Sequence, residues 1–251
     1  MEKKGMKEVE KELELKELKI KNIPVKLYGS DSDKMFLYIH GQCGCKEDAE
    51  VFAKVAVPKG WQVLSIDLPE HGERLSESVA GKAKELNRFN PWTIVPELKS
   101  VMEYIDNKWK KKALAANSIG AWFCMQAFAE TEFEKCLMIS PMVDMEHMIC
   151  NMMMWAGVSK EQLEREQVIP TEFGQPLSWE YYSYVKEHPI IKWNASTEIL
   201  YGENDTLMEY SVVQNFSSRF SCGLTVMEKG EHWFHTPEQI AFLQKWAEKL
   251  L

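Results

Sequence analysis

Apolar and polar residues alternate through "ELELKELKIKNIPVKLYGSDSDKMFLYIHG", Glu12 to Gly41, with turn signals at Asn22 to Pro24 and Gly29 to Asp33. This period of two predicts two or three consecutive antiparallel strands. The last of them, "MFLYIH", is a nearly continuous apolar run, the pattern of a strand covered on both faces. The period then lengthens. "KEDAEVFAKVAVPKG" reads as a helix stopped by Pro58 and Gly60, "WQVLSIDL" as a buried strand, and "VPELKSVMEYIDNKWK" as an amphipathic helix. "KKALAANS" reads as a strand, "IGAWFCMQAFAE" as a helix and "KCLMISP" as another strand. Near the end, "STEILYGEND" and "CGLTVMEKGEH" are strands flanking a helix around "EYSVVQNFSSRF", and Thr236 and Pro237 open a closing helix.

Alternation of this kind predicts an α/β protein: a mainly parallel, doubly wound sheet of about eight strands with helices on both faces. Reactive groups then belong at the carboxyl ends of the strands. One region breaks the rule. Between Met142 and about Ala195 the patterns are helical, in "VDMEHMICNMMMWAGVSKEQLEREQV" and "SWEYYSYVKEH", with no convincing strand. The expected organisation is a core of residues 1–141 and 196–251 with a helical lid, 142–195, inserted late in the sheet. No repeat or low-complexity segment interrupts it.

With 251 residues, 45% of them hydrophobic, the chain is sized for one such core. A net charge of −8 argues against a nucleic-acid partner, because phosphate binding depends on clustered cations. The one dense basic run, "NKWKKK" from Asn107 to Lys112, sits between a predicted helix and strand and reads as a solvated helix end. The opening twenty residues mix both charges without an apolar stretch, so neither a signal peptide nor a membrane span is expected, and the location is expected to be cytoplasmic. Six scattered cysteines are expected to be reduced thiols. Cys43 and Cys45, in "CGC", have no second Cys/His pair at zinc-like spacing, so no metal site is expected.

The candidate chemistry starts at "ALAANSIGAW", Ala113 to Trp122, where Ser118 sits between a strand and a helix. A sharp turn there would hold the hydroxyl exposed as a nucleophile, and it would demand small residues two positions to either side. Gly120 meets the demand, and Ala116 is the smallest alternative that carries a side chain. Ser is also a common helix N-cap, which is the competing role. His232 in "KGEHWF" and Asp205 in "YGENDTL" each follow a strand and supply an imidazole and a carboxylate, as a base and its orienting acceptor require. Glu203 and Asp144 are second choices for the acid, and His235 is the rival of His232. "HGQCG", His40 to Gly44, follows the third strand, where the backbone N–H of Gln42 could join that of Ile119 in facing an oxyanion.

With the order Ser, Asp, His, each at a strand end, the chain resembles a member of the α/β-hydrolase fold superfamily over nearly its whole length. "DLPEHGERLS", Asp67 to Ser76, is similar to the D-x-P-x-H-G-x-S segment of many such enzymes, with His71 as a loop-bracing residue. Ala116 departs from the G-x-S-x-G pattern. The resemblance implies Ser118 as nucleophile, His232 as base, Asp205 as acid and no cofactor. It implies hydrolysis of a small or medium, partly apolar ester, with thioester or amide cleavage by the same groups and a non-catalytic ligand-binding protein as the alternatives. Met152, Met153, Met154 and Trp155 are expected to line an adaptable apolar pocket for the acyl group.

Overall fold

The computed structural model describes residues 13–75 and 89–251, so Ser76, the last residue of the "DLPEHGERLS" match, and the first twelve residues lie outside the described residues. The strands are β1 (Leu15–Ile20), β2 (Ile23–Tyr28), β3 (Lys34–Ile39), β4 (Gln62–Ile66), β5 (Lys111–Asn117), β6 (Cys136–Ile139), β7 (Val168–Ile169), β8 (Leu177–Ser178), β9 (Thr197–Gly202) and β10 (Gly223–Met227). Eight of them form one sheet in the order β1-β2-β4-β3-β5-β6-β9-β10, and β7 pairs only with β8. From β4 to β10 the neighbours are parallel, whereas β1–β2 and β2–β4 are antiparallel.

The helices are α1 (Ala49–Ala56), α2 (Pro91–Asp106), α3 (Ile119–Phe128), α4 (Met145–Ala156), α5 (Lys160–Glu166), α6 (Trp179–Glu187), α7 (Tyr210–Phe220) and α8 (Pro237–Leu250). None of them is long and apolar enough to cross a membrane. Alternate residues of each central strand serve opposite faces. Met35, Leu37 and Ile39 of β3 join Leu114 and Ala116 of β5 under α2 and α3, while Phe36, Tyr38, Ala113 and Ala115 pack against Phe52 of α1 and Trp246 of α8. Two buried faces explain the continuous apolar run in β3.

Two expectations about the first strands change. The strands β2 and β3 are consecutive but not paired, because β4 lies between them, antiparallel to β2 and parallel to β3. Covered on both faces, β3 belongs in the middle of the sheet, and its crossover through α1 returns the chain beside it. Pro24 is not part of the turn: it lies in β2 opposite Lys19, and its carbonyl accepts the Asp67 N–H at 3.2 Å. It stands one residue outside the ladder with β4, where a missing N–H costs nothing.

The connection between β6 and β9 holds α4, α5, the β7–β8 hairpin and α6. The expectation of helices alone is corrected by that hairpin, whose strands are two residues each. Met148, Ile149, Leu163, Leu177, Tyr182 and Val185 bury themselves in the same apolar cluster as Trp122 of α3.

The corner between β5 and α3 is where space is shortest. A β-carbon on Gly120 would overlap the His40 carbonyl oxygen and stand 2.9 Å from that of Ile39. Ala116, fully buried, has no positive φ and so has no backbone need for glycine. Gly120→Ala is therefore expected to cost about 1–3 kcal/mol through overpacking, read as a lower urea midpoint. Ala116→Gly is expected to cost only about 0.5–1 kcal/mol through chain entropy, by the same measurement.

Candidate active site

Ser118 joins β5 to α3 with φ 51 and ψ −125, a conformation that side-chain-bearing residues rarely adopt. Such a residue costs about 1–3 kcal/mol and persists only where its surroundings over-determine it. Here they do: the Ser118 N–H donates to the Ile139 carbonyl at 3.0 Å, and its own carbonyl accepts from Ala121 and Met142, each at 3.1 Å. Gly41 gives the turn room, since a β-carbon there would lie 2.9 Å from that of Ser118. The hydroxyl makes no N-cap hydrogen bond to α3. It points elsewhere, to His232 Nε2 at 2.8 Å.

His232 follows β10, and its Nδ1 donates to Asp205 Oδ2 at 2.7 Å. The other carboxylate oxygen of Asp205, just beyond β9, accepts the backbone N–H groups of Leu207 at 2.8 Å and Met208 at 3.1 Å. With the Nδ1 proton committed to a carboxylate, Nε2 is left as the acceptor of the serine proton. The Asp205 side chain is 0% exposed and that of His232 15%, so the relay is largely withdrawn from water while the imidazole keeps an opening. The two loops meet closely: the Asn204 N–H donates to the Gly230 carbonyl at 2.7 Å, and a side chain on Gly202 would strike Gly230.

The competing residues are engaged in other work. Asp144 caps α4 by accepting the His147 N–H at 2.9 Å, and Glu203 accepts the Lys229 N–H at 2.8 Å. His235 is exposed, donates Nδ1–H to the Trp233 carbonyl at 2.8 Å and stacks on the Trp233 ring.

Of the expected oxyanion donors, neither the Gln42 nor the Ile119 N–H finds a backbone acceptor among the described residues, and both flank the close contact of Gly41 with Ser118. The loop bearing Gln42 is tied to the one after β4. His40 Nε2 accepts the Leu68 N–H at 3.0 Å, and Asp67 takes both the Lys46 N–H and the Lys46 ammonium at 2.9 Å. Burial pushes the His40 imidazole down to about 4, against the pull of its hydrogen bond to Gly41, so the ring is neutral. The sequence offers His71 of the "DLPEHG" segment as a brace for this loop, but neither the pairing of Asp67 with Lys46 nor that of His40 with the Leu68 N–H. Arg74 stands where the related segment has serine, and it donates to the Asp67 carbonyl at 3.2 Å and grips Glu97 with two nitrogens.

The four residues expected to line an acyl pocket lie in different surroundings on α4. Met153 is buried, Met152 half-buried, Met154 69% exposed and Trp155 47% exposed. Consecutive helical residues point about 100° apart, so four in a row sweep around α4 rather than share a face. Trp155 meets the ring of Phe173 instead. A cleft of about 320 Å³ between α3, α4, α6 and α7 is lined by Trp122, Val143, Val185 and Phe216, among others, but by none of Ser118, Asp205 and His232. All six cysteines are free thiols, and no group of His, Cys, Asp and Glu side chains suited to a metal ion occurs among the described residues.

No family model and no curated protein sequence matches the chain. Solved structures do. Est1E from Butyrivibrio proteoclasticus, solved with ferulic acid bound, superposes with a TM-score of 0.69 at 17% identity, covering 94% of this chain and 97% of its own. The alpha/beta hydrolase domain-containing protein 10 from mouse gives 0.72 at 12% identity, with 94% and 98% covered. The thioesterase domain from the curacin biosynthetic pathway gives 0.61 at 15% identity, with 94% and 99% covered. Sheet order, the serine turn between β5 and α3, and these likenesses together give the chain the α/β-hydrolase fold.

Proposed function

We propose that this protein is a serine hydrolase that cleaves a small or medium, partly apolar carboxylic ester through an acyl-enzyme. The observation that carries the reading is the unbroken hydrogen-bonded line from Ser118 Oγ through the His232 ring to Asp205. Ser118 attacks the acyl carbonyl as His232 Nε2 takes its proton, and Asp205 holds the imidazole in the required tautomer and stabilises the imidazolium that forms. The alkoxide leaves with the proton from His232, and water repeats the cycle on the acyl-enzyme. The N–H groups of Gln42 and Ile119 receive the oxyanion, each contributing about 2.7–4 kcal/mol to the lowering of the barrier. Neighbours that are themselves called alpha/beta hydrolase domain-containing protein and thioesterase domain support a hydrolytic reading. We assign the β6–β9 connection the part of a lid, because its Tyr181 stacks on Trp122, one helical turn beyond Ser118.

A fluorophosphonate probe is expected to label wild-type protein at Ser118, and Ser118→Ala is expected to abolish both labelling and turnover of p-nitrophenyl esters. Labelling that survives in that variant would falsify the assignment. Asp205→Asn is expected to lower kcat by up to about 10⁴-fold, the loss that the same change causes in a serine protease. Asp144→Asn and Glu203→Gln, which alter a helix cap and a loop contact, are expected to change kcat only a few-fold. A series of oxygen esters and matching thioesters of increasing acyl length, assayed under the same conditions, separates the ester from the thioester reading.

A further inference from the structure

His71 is 6% exposed and takes no part in the line from Ser118 to Asp205. Its Nδ1 lies 2.8 Å from the Pro69 carbonyl oxygen, and its Nε2 lies 3.1 Å from the Cys43 backbone nitrogen. A carbonyl can only accept and a backbone N–H can only donate, so this ring is neutral, with its proton on Nδ1 and its lone pair turned to Cys43. His40 has the same arrangement between the Gly41 carbonyl, at 2.7 Å, and the Leu68 N–H. Two neutral imidazoles thus hold the loop after β3 against the loop after β4.

What His71 holds is a strained residue next to the proposed oxyanion donor. Cys43 has φ 60, a left-handed conformation that a side chain disfavours unless outside contacts maintain it. The carbonyl of Gln42 and the N–H of Cys43 belong to one peptide plane, so fixing the Cys43 N–H fixes the rotation of that plane after Gln42. The Gln42 N–H itself belongs to the preceding plane, whose Gly41 carbonyl accepts the Gly44 N–H at 3.2 Å and the His40 Nδ1–H at 2.7 Å while Gly41 lies against Ser118. Between these two anchors the Gln42 N–H has one direction. An oxyanion donor contributes through its aim at the place where charge develops, and it must be preorganised before the reaction.

We infer that His71 is a positioning residue of the oxyanion hole: its neutral imidazole, through the Cys43 N–H, aims the Gln42 N–H at the tetrahedral oxyanion. The inference rests on the hydrolase reading proposed above. It differs from simple loop packing in requiring a hydrogen-bond acceptor at Nε2, not just a ring of the right volume.

The test compares His71→Phe, which keeps a ring without an acceptor, with His71→Gln, whose side-chain carbonyl can accept the Cys43 N–H. Steady-state kinetics on a p-nitrophenyl ester are read together with amide hydrogen exchange of the peptide that contains residues 41–44. His71→Phe is expected to lower kcat by about 10²–10³-fold, the loss of one oxyanion donor, with KM within a few-fold, because an interaction made only in the transition state has gone. Exchange in the loop is expected to quicken. His71→Gln is expected to restore at least a tenth of the wild-type kcat and to slow the exchange again. Equal losses in both variants, a rise in KM with kcat unchanged, or loop exchange that matches wild type would each overturn the positioning role. If His71→Phe does not fold, His71→Asn replaces it, since its shorter amide reaches toward Pro69 but not Cys43, and the same contrast with His71→Gln applies. Wild-type protein that neither labels with a fluorophosphonate nor turns over any ester would overturn the hydrolase reading itself, a result distinct from an active wild type with an unaffected His71 variant.

Discussion

Everything around the site follows from one strained residue. Ser118 at φ 51 and ψ −125 lifts its hydroxyl off the end of β5 toward His232, and that conformation leaves almost no space between β5, α3 and the loop after β3. Gly120 admits the carbonyl oxygens of Ile39 and His40, and Gly41 admits the side chain of Ser118. The small residues on either side are consequences of the turn. They allow the backbone of β3 to reach the serine, which in turn brings the Gln42 N–H to its neighbourhood. Backbone strain, close packing and the approach of the Gln42 N–H are therefore one feature seen at three levels.

The two buried carboxylates beneath the site, Asp205 and Asp67, both have partners. Asp205 accepts two backbone N–H groups and the His232 proton, which leaves its charge buried but satisfied. Asp67, also fully buried, accepts from the Lys46 backbone, the Lys46 ammonium and the Glu73 N–H. A buried ion pair of this kind adds little net stability compared with apolar packing, but removing one partner costs about 3–5 kcal/mol because the other charge is stranded. It ties the loop after β3 to the loop after β4. His40 and His71 act at the same junction as neutral groups, each accepting one N–H and donating to one carbonyl.

The β6–β9 connection is built differently. It has no place in the main sheet, and it is joined to the core by Met145, Met148, Ile149 and Met153 on successive turns of α4 and by Tyr182 and Val185 of α6, in the apolar cluster that holds Trp122 of α3. A second contact crosses from α4 to the start of α7, where His147 and Asn151 meet the Glu209 carboxylate. That carboxylate lies four residues beyond Asp205, so the segment is tethered near the proposed acid as well as near the serine. Both tethers are at its edges, whereas Met154 and Trp155 on its outer side remain open to water.

Much of this was legible in the chain itself. Period-two and period-3.6 patterns located every strand of the main sheet and most of the helices, because burial of one face or two leaves its mark locally. The helix stop at Pro58 and Gly60 and the helix start at Thr236 and Pro237 are equally local. Ser118, Asp205 and His232 could be named because each lies within a few residues of a strand end, and in a parallel sheet those ends converge. Only the tertiary structure decided the rest. Which strand lies beside β2 depends on how the β3–α1–β4 crossover returns, and Pro24 is tolerated or not according to which ladder it stands outside. Which of the residues in "MMMW" is buried, Met153, and which are exposed, Met154 and Trp155, depends on which face of α4 meets the core. The clamp of His40, His71, Lys46 and Asp67 joins residues up to 28 positions apart through single hydrogen bonds. Such bonds leave no periodicity in a sequence, because their partners are chosen by distance in space and not by spacing along the chain.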